Sequence, residues 1–277
     1  MKLGFHNSIE GGLSMAVQRA LEMGTDTLQL FLHSPRSWST KEISEKDIQD
    51  FKAILRQTGI GPVFAHASYL INLASQEKRL WHASVNLLKR ELQMASELGI
   101  KAVVVHPGRT KGASEKEAIS RVREALKRLS SEVGLERLVL ENTSGRKGEL
   151  GSTMEQLLEI TDGLPEKPLG LCIDTAHAYG AGIDITEETV LRGLLSHGPM
   201  PVVLIHLNDS KGALGSRIDR HEHIGRGAIG LEGFKRVLSV LKGTDLPLIM
   251  ETPKKAPDDD IKNLRTVKEI LTQLEDR

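Results

Sequence analysis

Nine side chains of types that ligate divalent metals punctuate this 277-residue chain: His66, His106, Glu141, Asp174, His177, His206, Asp219, His221 and Glu251. Neutral imidazoles combined with carboxylates suit zinc and similar transition metals. Taken singly, each has a blander reading, because a lone histidine is more often a surface or core residue than a ligand. Their spacing argues otherwise. His66, His106, Glu141, Asp174, His206 and Glu251 each stand directly after a short apolar run. His177 falls three residues after Asp174, in the turn expected there, so one segment could serve two adjacent metals. If Asp219-Arg220-His221 is extended, Asp219 and His221 point to one side and Arg220 to the other, because side chains alternate along extended backbone. That is a metal pincer with a basic residue left over for an anion. Zinc takes roughly four ligands, so nine donors with one or two bridging carboxylates fit two or three ions, not one. Metals roughly 3.5 to 4 Å apart act on phosphoryl groups by activating a water and by stabilising the leaving oxygen.

The elements that must position these donors follow a regular alternation. Apolar, β-branched runs at 2–5, 27–32, 62–65, 102–105, 138–140, 169–173, 202–205 and 246–250 read as strands. Amphipathic segments at 14–23, 45–57, 76–98, 115–133, 153–161, 187–195, 231–241 and 258–274 read as helices. Ser114 with Glu117 and Ser152 with Glu155 are spaced as capping boxes. No Pro/Ser-rich linker divides the chain, so one α/β domain spanning 1–277, a closed (β/α)8 barrel of the TIM type, is the economical reading. A doubly wound open sheet is the alternative. The residues at the strand ends are His6, Leu32-His33, His66, His106, Glu141, Asp174, His206 and Glu251. In a (β/α)8 barrel these ends converge on one mouth, where active sites are built.

Composition sets bounds. With 37 basic and 37 acidic side chains the net charge is zero, against the overall basic field of a nucleic-acid coat protein, so a polyanion would be gripped by a local patch. The single cysteine, Cys172, excludes an internal disulfide and a multi-cysteine zinc site, and its apolar surroundings read as a buried inert thiol. No apolar stretch approaches the length of a membrane span, and the N-terminus lacks a signal-peptide core, so the expected compartment is the cytoplasm. His33, His82, His197 and His223 keep the bland reading, although His223 shares the alternation of Asp219 and His221. His6 reads as a contact behind the ligands or to phosphate. The glycine-rich stretch 225–230 lacks the Lys-Ser/Thr of a P-loop and follows no expected strand, so it reads as a loop shaping the mouth ahead of the next helix. Among scarce aromatics, Trp38 and Tyr69 fall in loops after strands, and Tyr69-Leu70 reads as either a base-stack wedge or a hydrophobic lid.

The segments HASYLINLAS, VVVHPG, LENTSG, LCIDTAHAYGAG, HLNDSKGALGSRIDRHEHIGRGAIG and METP, in this order, resemble the endonuclease IV family of apurinic/apyrimidinic (AP) endonucleases over essentially the whole chain. That resemblance implies a (β/α)8 barrel with three zinc ions, cleaving DNA 5′ to abasic sites to leave a 3′-hydroxyl and a 5′-deoxyribose phosphate. It implies that His66, His106 and Glu141 hold one zinc and that Glu141 bridges to a second, held with Asp174, His206 and Glu251. His177, Asp219 and His221 would hold the third. Hydroxide between the first two metals would attack phosphorus in line, and the third would take the charge on the departing oxygen. Glu141, Glu251, His66 and His177 are the residues expected to carry catalysis. Arg36, Tyr69 and Leu70 match the positions that fill the minor groove and the gap around a flipped-out abasic nucleotide, and Arg220 reads as a phosphate or structural contact. Ala67, Pro35 and Ser37 depart from the family pattern in DNA-contacting or supporting positions, not among the ligands. Further basic residues expected in the loops are Arg146, Lys147, Arg217 and Arg226. The expected partner is double-stranded DNA containing abasic sites, bound by a monomer. The competing readings are a metal-dependent sugar isomerase or epimerase on the same barrel, which has no task for Asp219, His221 and His177, and a damaged-DNA binder that does not cut.

Overall fold

A computed structural model describes residues 1–196, 198 and 200–276. Eight parallel strands close into a barrel: β1 (Leu3–Asn7), β2 (Thr27–Phe31), β3 (Val63–His66), β4 (Ala102–Val105), β5 (Leu138–Glu141), β6 (Gly170–Asp174), β7 (Val202–His206) and β10 (Leu248–Met250). Each pairs with its neighbours in chain order, and β10 closes the ring on β1 through Leu3↔Leu248 and Phe5↔Met250. The open-sheet alternative is thereby excluded. Helices α1 (Leu13–Met23), α2 (Glu45–Thr58), α3 (Lys78–Leu98), α4 (Glu115–Val133), α5 (Met154–Thr161), α7 (Glu188–Ser196), α8 (Gly230–Leu241) and α9 (Asp259–Glu275) stand between and after the strands.

Two elements escaped the sequence reading. His177 lies not in a turn but in the short helix α6 (Thr175–Gly180), whose start is capped by the Asp174 carboxylate accepting from the His177 N–H at 2.7 Å. A two-stranded antiparallel ribbon, β8 (Asp209–Ser210) with β9 (His221–Glu222), folds over the mouth. The glycine-rich stretch therefore does follow a strand, a very short one. At α4 the Ser114–Glu117 capping box is present. At α5 the cap moves one residue on, and Thr153 accepts from the Gln156 N–H in place of Ser152 with Glu155. His197 lies outside the described residues.

Two apolar layers hold the barrel. The larger joins the outward strand faces to the helices, with Phe51, Leu88, Leu126, Leu157 and Phe234 among its members. The smaller consists of Phe64, Ala102, Val104, Val139, Cys172, Leu204 and Ile249, packed separately within the ring. Strand side chains repeat with period two. Phe64, Val104, Val139, Cys172, Leu204 and Ile249 therefore share a face with His66, His106, Glu141, Asp174, His206 and Glu251, each two residues further on. The apolar plug forms the floor, and the donors stand on it.

Candidate metal centre

At this floor all the sequence-predicted donors meet. Glu141, fully buried at the end of β5, faces His66 Nε2 at 3.1 Å and His106 Nε2 at 3.0 Å with one oxygen. Its other oxygen faces His206 Nδ1 at 2.8 Å. The carboxylate is thus divided between two groups, His66–His106–Glu141 and Glu141–Asp174–His206–Glu251. A further group is Asp174–His177–His221, and Asp219 Oδ1 joins it from the side at 3.2 Å from His177 Nε2. Asp219 also lies 3.7 Å from the Arg146 guanidinium. The Asp219 and His221 side chains converge on α6 while Arg220 between them is exposed, as the extended reading of the tripeptide expects. Cys172 comes near Glu141 and His206. It sits one pleat below them in the apolar plug, and burial pushes its thiol up to about 12, so it counts as core.

Polar partners behind the donors fix their orientation. The Nδ1 atoms of His66, His177 and His221 lie 2.8, 3.0 and 3.0 Å from the backbone carbonyls of Ala67, Asn142 and Glu251. An Nδ1–H donated to a carbonyl leaves Nε2 as the lone-pair nitrogen, which is how metal-ligating histidines are commonly set. His221 Nε2 is buried with no hydrogen-bond partner among the described residues. A buried nitrogen without a partner is costly, and it faces Asp174 at 3.5 Å, so a cation between them answers the mismatch. Asn208 donates to Asp174 Oδ2 at 2.7 Å and accepts from the Glu251 N–H at 2.7 Å. Gln29 donates to Glu251 at 2.6 Å and accepts from His206 Nε2 at 2.9 Å. Sequence reading missed Asn142, Asn208 and Gln29, whose types carry no ligand signal of their own. His6 falls behind Glu251, its Nδ1 3.3 Å from that carboxylate.

The charges match a cation-binding site. Burial works against the ionised form of Glu141, yet His206 and His106 outweigh it and hold the carboxyl well below its usual range. Glu251 behaves likewise beside His206, His6 and His66. Burial also opposes charge on His177, but Asp174, Asp219 and Glu141 push its imidazolium up to about 10. The hydrogen bond from His177 lowers Asp219. These shifts show carboxylates gathered where positive charge is stabilised, with imidazolium protons standing where ions would sit.

Above the donors opens a cleft of about 730 Å³ lined by Tyr69, Leu70, Trp38, Arg109, Lys111 and Lys254, among others. Tyr69 is 65% exposed and packs edge-on against Phe31. Partial desolvation against Phe31 and His66, with Glu251 and Glu141 nearby, raises the phenol to about 12. Arg36 and Arg220 are exposed but outside the cleft wall, and the cations within it, Arg109, Lys111 and Lys254, were not singled out in the sequence. Arg109 is steadied by Glu149 at 2.7 Å, and its backbone N–H and C=O both bond Asn72. Gly108 must be glycine here, since its φ is +126° and a Cβ would come within 2.3 Å of Asn72 Oδ1. The 225–230 loop is clasped by Asp209, which accepts from the Gly227 and Ile229 N–H groups at 2.9 and 3.0 Å. The bland histidines lie outside the three groups: His33 pairs with Glu91, His82 meets Arg128 on the surface, and His223 contacts Asn263.

A family model described as a xylose isomerase-like TIM barrel matches residues 17–272. A probable endonuclease 4 of Persephonella marina is 40% identical over 278 residues, covering 98% of this chain and 97% of its own. One of Methanoculleus marisnigri is 40% identical over 276 residues, with 97% and 98% covered. The crystal structure of endonuclease IV from Thermus thermophilus superposes with a TM-score of 0.85 at 38% identity, covering 99% of this chain and 100% of that one. Identity at this level over almost the full length of both partners, together with the shared barrel, shows that the chain belongs to the endonuclease IV family.

Proposed function

We propose that this protein is a zinc-dependent AP endonuclease acting in base excision repair. It would hydrolyse the phosphodiester 5′ to abasic sites in double-stranded DNA, leaving a 3′-hydroxyl and a 5′-deoxyribose phosphate. The observation that carries the reading is the convergence of nine donors, eight in overlapping groups and Asp219 beside His177, in a chain of this family. His66, His106 and Glu141 would hold one ion; Glu141, Asp174, His206 and Glu251 a second; His177, Asp219 and His221, with Asp174 at hand, a third. Zinc there would supply Lewis acidity and a water acidified toward neutral pH. The chain's own part is positional. Glu141 presents one oxygen to each of two neighbouring groups, and Asn208 aligns Asp174 with the strand end that carries Glu251. At the rim, Tyr69 and Leu70 stand where they can fill the gap left by an extruded abasic nucleotide and exclude water from it. The raised phenol stays neutral and able to donate.

The sugar isomerase alternative uses the same barrel, but the group around His177 and His221 has no task in it. No helix among the described residues is long and apolar enough to cross a membrane. We read residues 1–277 as one domain, monomeric and cytoplasmic, with duplex DNA as its partner. The test is incubation of purified protein with an abasic duplex, with and without a chelator, beside a metal count. Incision 5′ to the lesion, abolished by chelation, with about three zinc ions per chain is expected; no incision, or a single ion, would overturn the reading.

A further inference from the structure

Helix α3 carries a carboxylate that the chemistry above does not use. Glu91 is 1% exposed, on the helix face that also buries Leu87, Leu88 and Ala95. Burying a carboxylate is unfavourable unless it is hydrogen-bonded; Glu91 Oε2 has no hydrogen-bond partner among the described residues, so Oε1 carries the pairing, and an apolar residue would pack here at no such cost. Glu91 Oε1 accepts from the Ser68 N–H at 3.0 Å and faces His33 Nε2 at 2.8 Å. Ser68 in turn donates its hydroxyl to the Pro35 carbonyl at 2.8 Å and accepts from the Leu70 N–H at 3.3 Å. One buried oxygen thereby ties together the loops after β2 and β3. Those loops carry Arg36, Tyr69 and Leu70. No residue of this node belongs to the three donor groups.

We propose that Glu91, paired with His33, is a positioning residue that locks the Arg36 and Tyr69–Leu70 loops into one arrangement before DNA arrives, so that the wedge is already set for the lesion. This rests on the AP-endonuclease reading of the mouth. A pre-ordered loop binds more tightly because it loses less freedom on binding. A lock that acts on binding alone changes KM and leaves kcat, whereas a residue that only packs α3 would change neither.

Three measurements on the zinc-loaded full chain decide it: amide exchange of the 67–71 segment, KM and kcat on an abasic duplex, and zinc content. Glu91→Leu is expected to speed exchange in that segment by about tenfold or more and raise KM by about tenfold, with kcat within about twofold and zinc unchanged. Glu91→Gln, which keeps an acceptor for the Ser68 N–H, is expected to recover most of the loss. Ser68→Ala cuts the links to Pro35 and Leu70 while keeping the N–H that Glu91 accepts from, and is expected to raise KM in the same direction, which covers the case in which Glu91→Leu fails to fold. Unchanged exchange and KM in Glu91→Leu, or a fall in kcat with KM unmoved, would overturn the lock. A wild-type chain that does not incise the duplex overturns the functional reading instead, and exchange alone then judges the lock.

Discussion

Glu141 combines complete burial with three imidazoles inside hydrogen-bonding distance, a density of charge that only a strongly bound cation or protonated histidines can balance. Exchanging its neighbours should therefore be costly. His66→Ala and Glu251→Gln are each expected to reduce incision of an abasic duplex by at least about a hundredfold, with the circular-dichroism spectrum unchanged; full activity in either would refute the role given to it. The titration of His177 gives a second test. Its folded-state value of about 10 lies above the ordinary 6.5, so in the metal-free protein its stabilisation is present below 6.5 and is lost as pH rises through about 10. Zinc requires the neutral imidazole. Loading near pH 7 should then release protons, and the apparent affinity should climb with pH across this window. Calorimetry in buffers of different ionisation enthalpy would read the protons, and loading without release would contradict the assignment.

At the scale of elements, the strands were the legible part of the sequence. A donor directly after six of the eight apolar runs is two residues beyond an inward core position, so the period of the strand carries both floor and site. Helices with long apolar faces were equally readable, their ends shifting by a residue or two where capping side chains compete, as Ser152 and Thr153 do before α5. Short elements set by tertiary contacts were not. The six residues of α6 depend on the Asp174 carboxylate folding back on the His177 N–H, and the β8–β9 ribbon has two residues a side. The cleft-lining cations were also hidden, because cleft walls depend on loop paths that no periodicity encodes: the Arg109 backbone is held at the cleft by Asn72, while Arg36 is exposed near Tyr69 at its edge. The Tyr69–Leu70 loop can be tested as a unit. Replacing Tyr69 and Leu70 together by glycine is expected to lower the preference for abasic over intact duplex by about tenfold or more while slowing hydrolysis less; equal losses would mark it as a lid.

For the whole molecule, net neutrality coexists with a mouth whose interior is acidic and whose rim carries Arg109, Lys111 and Lys254. The barrel closes through β1 and β10 with its own apolar plug, independent of the donor groups. Stripping the metals should therefore leave secondary structure intact and lower the thermal midpoint, as loss of a ligand that binds only the folded state requires. Collapse of the far-ultraviolet spectrum on chelation would show that ions build the fold.

The carbonyl tethers on His66, His177 and His221 then bear on supply. Because the backbone already aims these rings, an arriving ion meets a finished chelator and need not wait for the chain to search. Refilling would be paced by the ion shedding its water and by the His177 proton leaving, so a molecule that had lost its ions could return to duty without being made again.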